Sequence, residues 1–266
     1  MSGPDAAHIL AVHPPVASPA LEPLPISTQC AATTPHMPPV ELYDANIDFY
    51  IEHLLQPAFL RQAIASVTTR DGRGDYHRAD PAIQHQLTDL NTNRPRWEKR
   101  IAAVEQILDT CRSQQFYDPL DGVQALADLK ALLCLISLAY FPARIGWGTF
   151  DHPQSHDPDW LAAFPPDTFS NPFAAYCVTR FAKKLEQPGL RLLLFWVVSR
   201  DQLPAVATLA DFAKTTQPSL PVAAVGEADL ISDCQPFIDP CLSICDDQLE
   251  KRLQQLASAL ADRKAP

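Results

Sequence analysis

The sequence predicts an α/β protein: a Rossmann-like, doubly wound parallel sheet interrupted by a large helical insertion. Three observations carry this. The segments "HILAVH" (8–13), "RLLLFWVV" (191–198) and "LPVAAVG" (220–226) are short apolar runs, the pattern of parallel strands buried on both faces. An amphipathic stretch, "QLPAVATLADFAKTTQ" (202–217), lies between the last two, giving a strand–helix–strand rhythm. The region between the first two is helical in texture for roughly 140 residues, far longer than an ordinary crossover.

Each element follows from its residues. Strand 8–13 ends at Pro14-Pro15, because proline cannot continue a central ladder. Residues 16–39 are rich in Pro, Ser and Thr, with room for one short helix near 27–34 capped by Ser27. "VELYDAN" (40–46) alternates as a second strand. "IDFYIEHLLQPAFLRQAIASV", "RPRWEKRIAAVEQILDTCRSQ", "GVQALADLKALLCLISLAYF" and "PFAAYCVTRFAKKLEQ" carry apolar residues at helical spacing, and "TTRDGRGDYHRADPAIQ" reads as a polar loop. A Pro- and Asp-rich stretch around 150–171 reads as irregular, with one helical turn near Asp159–Phe164. The expected organisation is sheet at 8–48 and 189–230, helical insertion at 49–188, and linker plus amphipathic helix at 231–266. In that last helix Asp246 or Asp247 near the start and Arg263 and Lys264 near the end suit the helix dipole.

Composition narrows the function classes. The 266 residues carry a formal net charge of −10, which argues against a nucleic-acid footprint. No apolar run reaches the roughly 20 residues of a membrane span. The first residues lack the basic and apolar regions of a signal peptide. Seven scattered cysteines suit a reducing, cytoplasmic setting. With 26 Pro and only 8 Gly, the chain has few residues that let backbone approach a phosphate or nucleotide.

"ILAVHPPVASP", "VELYDANIDFYIEHLL", "DLKALLCLISLAYFPARIGWG", "SNPFAAY" and "LLLFWVVSRDQLPAVATLADFAKTTQPSLPVAAVGEADL", in this order and spacing, resemble the N-terminal cobalamin (B12)-binding domain of class B radical SAM enzymes. The resemblance covers 8–230 and is to the peptide-maturase subgroup with a helical insertion. It implies a corrinoid held base-off over the carboxyl ends of the strands, beside a barrel whose Cys-x3-Cys-x2-Cys motif binds a 4Fe–4S cluster. Carried over, the cofactor-binding positions are Pro14, Pro15, Ser199, Gln202, Gly226 and Glu227. The departures matter as much. No segment matches the barrel; the Pro-Pro-x-Gly start of the first helix has become "PPVASPALEPLP"; and the Gly-Gly after the last matched strand has become Gly226-Glu227. A carboxylate there puts bulk and negative charge where a nucleotide tail would approach backbone.

Other constellations have bland readings. Cys241 and Cys245 imitate a cluster motif, but the third ligand position holds Gln248 and Cys234 is off-spacing, so no cluster is expected. Asp75-Tyr76-His77-Arg78-Ala79-Asp80 is a near miss to Asp-x-His-x-x-Gly, with Asp80 where glycine should be. His152 and His156 have an i, i+4 spacing, but Pro153 and Pro158 oppose a helix and no third ligand is evident. Trp147, Trp160, Phe164, Phe169 and Phe173 read as core lining, any exposed part being a docking patch. Leu249, Leu253, Leu256 and Leu260 form a stripe able to face the domain or another chain. No catalytic triad, phosphate loop or catalytic residue is assigned.

The expectation is therefore a degenerate cobalamin-binding-like accessory protein, not catalytic alone, working with a radical SAM enzyme or a peptide substrate system. The alternatives are a corrinoid-binding subunit of a split cobalamin-dependent enzyme, or a stand-alone small-molecule binding module.

Overall fold

The computed structural model describes residues 7–18, 39–155, 157–163, 167–243 and 255. In chain order the strands are β1 (His8–His13), β2 (Val40–Asp44), β3 (Arg144–Gly146), β4 (Thr149–Asp151), β5 (Leu190–Val197), β6 (Val222–Gly226) and β7 (Cys241–Ser243). The α-helices are α1 (Ala45–Phe49), α2 (Pro57–Arg73), α3 (Pro81–Thr92), α4 (Arg94–Ala102), α5 (Val104–Arg112), α6 (Pro119–Ala139), α7 (Pro158–Ala162), α8 (Pro172–Tyr176), α9 (Ala182–Leu185), α10 (Leu203–Thr216) and α11 (Ala228–Cys234). A wide turn, Cys177–Phe181, joins α8 to α9.

The protein is α/β, with a five-stranded, all-parallel sheet ordered β2-β1-β5-β6-β7. Side-chain alternation sorts the sheet. Ile9, Leu192, Leu194, Trp196, Ala223, Val225 and Leu242 form one apolar cluster, each nearly inaccessible to solvent. On the opposite face the Phe181 ring lies between Tyr43, against which it stacks, and Phe195, to which it is tilted.

The chain divides into two compact units, one holding the sheet (residues 1–49 and 153–266) and one running Tyr50–His152. Residues 153–188, assigned from sequence to the insertion, cluster with the sheet. The reason lies in the buried side chains of Phe173, Tyr176 and Phe181, which the helical periodicity alone could not allot to a partner. Likewise 231–266 is more than linker and helix, since α11 reaches into it and β7 adds a fifth strand. Ser27 and 27–34, His156, Phe164, Cys245, Gln248 and the leucine stripe of 246–264 lie outside the described residues.

In the helical unit, the loop expected at 68–84 is shorter. Helix α2 runs to Arg73, closes on Gly74 at φ +79°, and α3 begins at Pro81. The near-motif residues there hold structure. Asp80 caps α3 by accepting from the Ile83 N–H at 3.0 Å, and Asp75 pairs with Arg70 at 3.2 Å. Many of the prolines serve the same purpose: Pro57, Pro81, Pro119, Pro158 and Pro172 each open a helix, where the missing N–H costs nothing. Helix α6 is long and apolar enough, by length and composition, to cross a membrane. Half of its apolar window is buried, and its Asp128 pairs with Arg100 at 2.6 Å. Carbonyls at and just beyond its end are closed by side chains: Arg70 donates to Ala139 and Phe141, and Tyr76 to Leu138.

Candidate functional site

In a parallel sheet whose strand order reverses, ligands gather outside the carboxyl ends at the point of reversal. Here that point lies between β1 and β5, the strands leaving toward β2 on one side and β6 on the other. Four of the residues expected from sequence meet there. Pro14 and Pro15 end β1, while Ser199 and Gln202 follow β5.

Gln202 ties the two loops together. It is completely buried; its Nε2 donates to the Pro14 carbonyl at 2.9 Å, and its Oε1 accepts from the N–H groups of Val198 at 2.8 Å and Ser199 at 3.2 Å. One carboxamide thus satisfies three backbone groups that the end of the ladder leaves open. Ser199 stands at the N-cap position of the turn Arg200–Gln202, where its buried side chain faces the Gln202 backbone N–H and the Gln202 side chain accepts from the Ser199 N–H, a capping box. The strand-to-helix cap expected of Ser199 or Asp201 falls to Ser199, shared reciprocally with Gln202. Trp196 is buried in the sheet, whereas Arg200 is exposed and lies 3.4 Å from Asp233.

Gly226 pairs in register with Val197. A Cβ on it would stand 2.5 Å from the Val197 carbonyl oxygen, so glycine serves close strand packing. A Gly226→Ala variant is expected to lose about 1–3 kcal/mol by overpacking, measured by urea denaturation. Glu227 is exposed beyond it.

Three further residues belong to this crevice. His13, the last residue of β1, is only 3% exposed, and its Nδ1 has no hydrogen-bond partner. Burial holds its pKa below the usual histidine value, with Asp44 on β2 opposing, so the imidazole is neutral at neutral pH. Val16 sits at φ +69°, a costly conformation for a β-branched residue. Asn46 holds the following residue, its Oδ1 accepting from the Ala17 N–H at 3.1 Å and its Nδ2 donating to the Ala17 carbonyl at 3.2 Å. A histidine before a double proline is visible in sequence, but an unpaired nitrogen is not.

A second polar group braces the edge strand β2. The Tyr43 hydroxyl donates to Asp48 at 2.6 Å and lies 2.7 Å from the Tyr176 hydroxyl, and Arg180 pairs with Asp48 at 2.6 Å. Burial pushes the Asp48 carboxyl up, but hydrogen bonds from Arg180 and Tyr43 outweigh it and hold the group below its ordinary value. Lys184 lies over the Tyr43 ring and pairs with Glu41 at 3.1 Å.

The remaining candidates are dispersed. Burial pushes the thiols of Cys234 and Cys241 up, the latter to about 11, against the thiolate form that metal binding needs. Among the described residues no group of three or more His, Cys, Asp or Glu side chains is arranged to hold a metal ion. Phe173 is core, Phe169 is exposed, and Trp147 is half-exposed against Tyr50 on the β3–β4 turn.

No protein-family model, curated protein or solved structure matches the chain.

Proposed function

We propose that this chain is a cytoplasmic, Rossmann-like accessory protein descended from a cobalamin-binding domain, not catalytic alone, that works with a radical SAM enzyme or a peptide-maturation system. The observation that carries the reading is the strand order, with Pro14, Ser199 and Gln202 joined where it reverses. The order β2-β1-β5-β6-β7 is the one in which a doubly wound sheet presents a crevice between its first and third parallel strands. The ordered resemblance over 8–230 supplies the ancestry.

The residues present fit a corrinoid poorly. Where a nucleotide tail would approach backbone, Gly226 is already packed on the Val197 carbonyl and the Glu227 carboxylate follows. Titration with hydroxocobalamin, followed by visible absorption, is expected to give no saturable base-off spectrum at micromolar protein. Affinity purification of the tagged protein from its source cells is expected to retain a cluster-bearing radical SAM protein. A saturable spectrum would instead favour the corrinoid-binding subunit of a split enzyme, and no spectrum together with no retained partner would leave the stand-alone binding module.

A further inference from the structure

We propose that the amino-terminal half of α6 is a self-association surface, on which a second copy of this chain packs antiparallel across a two-fold axis. This goes beyond the accessory reading and does not rest on it.

The first observation is an apolar stripe in water. Tyr117, Leu120, Val123 and Leu126 are 83%, 82%, 67% and 51% exposed. Leu120, Val123 and the exposed Ala127 follow one another at three- and four-residue steps, the spacing of a helix–helix seam, with Leu126 at its edge. On the other side of the helix Ala125, Leu129 and Leu132 are buried, so the stripe is additional to the face that packs into the helical unit. Single exposed apolar side chains need no explanation, but a continuous row of them marks a contact surface.

The second observation is that the stripe is held in place. Gly122 is buried, and a Cβ there would collide with the Phe116 carbonyl oxygen, so the turn Gln114–Tyr117 lies directly on the helix. The Phe116 and Tyr117 rings meet edge to face at 5.9 Å between centres. Asp118 caps the helix, accepting from the Leu120 and Asp121 N–H groups at 2.9 and 3.2 Å. A capped and packed helix end has little freedom left to lose on pairing.

The third observation selects the occupant. Asp128 is already taken by Arg100 at 2.6 Å and by Gln124 at 2.9 Å. The exposed charges that remain sort by end: Asp118 and Asp121 at the start of α6, Lys130 beyond the stripe. A second copy laid antiparallel sets Val123 against its Ala127, and Leu120 against the aliphatic stem of its Lys130. That ammonium group then stands at the acidic helix start. A parallel copy would set Lys130 beside Lys130 and Asp118 beside Asp118. Four large side chains buried on each copy come near the lower limit of a specific interface, so the dimer is weak and reversible. A bilayer fits poorly, because helices that lie on membranes carry Lys and Arg along their polar flanks, where α6 carries Asp118, Asp121 and Asp128.

Sedimentation velocity on the full chain, from about 1 to 300 µM, is expected to show monomer passing to dimer. Val123 is exposed in the monomer, so Val123→Asp should keep the native circular dichroism. It should weaken dimerisation by about tenfold or more, because pairing would bury an unpaired carboxylate. Lys130→Glu should weaken it too, and adding Asp121→Lys to that variant should recover part of the loss, since antiparallel pairing exchanges the two charges together. If Val123→Asp fails to fold, the Lys130 series decides. A chain that stays monomeric over that range overturns the proposal. So does a dimer that Val123→Asp leaves intact, or a charge exchange that recovers nothing. Binding of the monomer to phosphatidylcholine–phosphatidylglycerol vesicles, abolished by Val123→Asp, would assign the stripe to a membrane and overturn it equally. None of these measurements involves a radical SAM partner or cobalamin, so they fail or succeed separately from the accessory function.

Discussion

Replacing Asp48 with alanine is expected to destabilise the sheet-bearing unit by about 3 kcal/mol, near the lower end for breaking a buried ion pair. The carboxylate receives the Tyr43 hydroxyl and the Arg180 guanidinium, and Tyr43 in turn contacts the fully buried Tyr176. Removing it takes one acceptor from the Tyr43 hydroxyl and an opposite charge from beside Arg180. Arg180 keeps 35% of its side chain in water, which holds the loss below that of a wholly buried pair. Asp48→Asn should lose less, since its carbonyl still accepts from Tyr43.

The same group sets a pH dependence. The Asp48 carboxyl is held below its ordinary value in the folded protein, so the unfolded chain binds the proton more readily. Its contribution is therefore complete above the unfolded value of about 4 and is lost as pH falls through the folded value. Urea denaturation at a series of pH values should show a gap between wild type and Asp48→Asn that narrows on acidification. A constant gap would show that the charge contributes nothing.

Gln202→Leu should have an effect of similar size by a different route. The substitution strands the Pro14 carbonyl and the Val198 and Ser199 N–H groups, at about 1–3 kcal/mol for each group that water cannot reach. A loss of at least about 3 kcal/mol follows, together with faster hydrogen exchange at Val198 and Ser199. Gln202→Glu keeps the acceptor but turns an oxygen toward the Pro14 carbonyl, so it should protect the two N–H groups while still destabilising. If leucine were tolerated without loss, the two loops would be held by something other than this side chain.

Sequence alone marked four of the five sheet strands, because β1, β5 and β6 are apolar runs and β2 alternates. It missed β7, whose three residues after Pro240 carry too little pattern to separate from a loop. Helix α3 was hidden for a related reason: Ile83, Leu87 and Leu90 keep helical spacing, but the Asp-Pro that caps the helix reads equally well as a turn. Of the candidate site, Pro14, Ser199 and Gln202 were named through the resemblance, and they fall at the ends of β1 and β5. His13 and Asn46 were not. The interest of His13 lies in a bond it does not make, and Asn46 acts on Ala17 across a Pro-rich segment, a pairing no local pattern encodes.

The central pairing of β1 with β5 has a consequence for biosynthesis. Val12 is laid beside Phe195, so during synthesis β1 waits for about 180 intervening residues before β5 can pair with it. Closing so long a loop costs chain entropy and slows folding when contacts are this distant. The segment Tyr50–His152 offsets that cost, since its helices can form from neighbouring residues while synthesis continues. Until β5 emerges, β1 and β2 form only an apolar parallel pair with open edges, and this is the interval in which the nascent protein is most exposed to aggregation or chaperone capture.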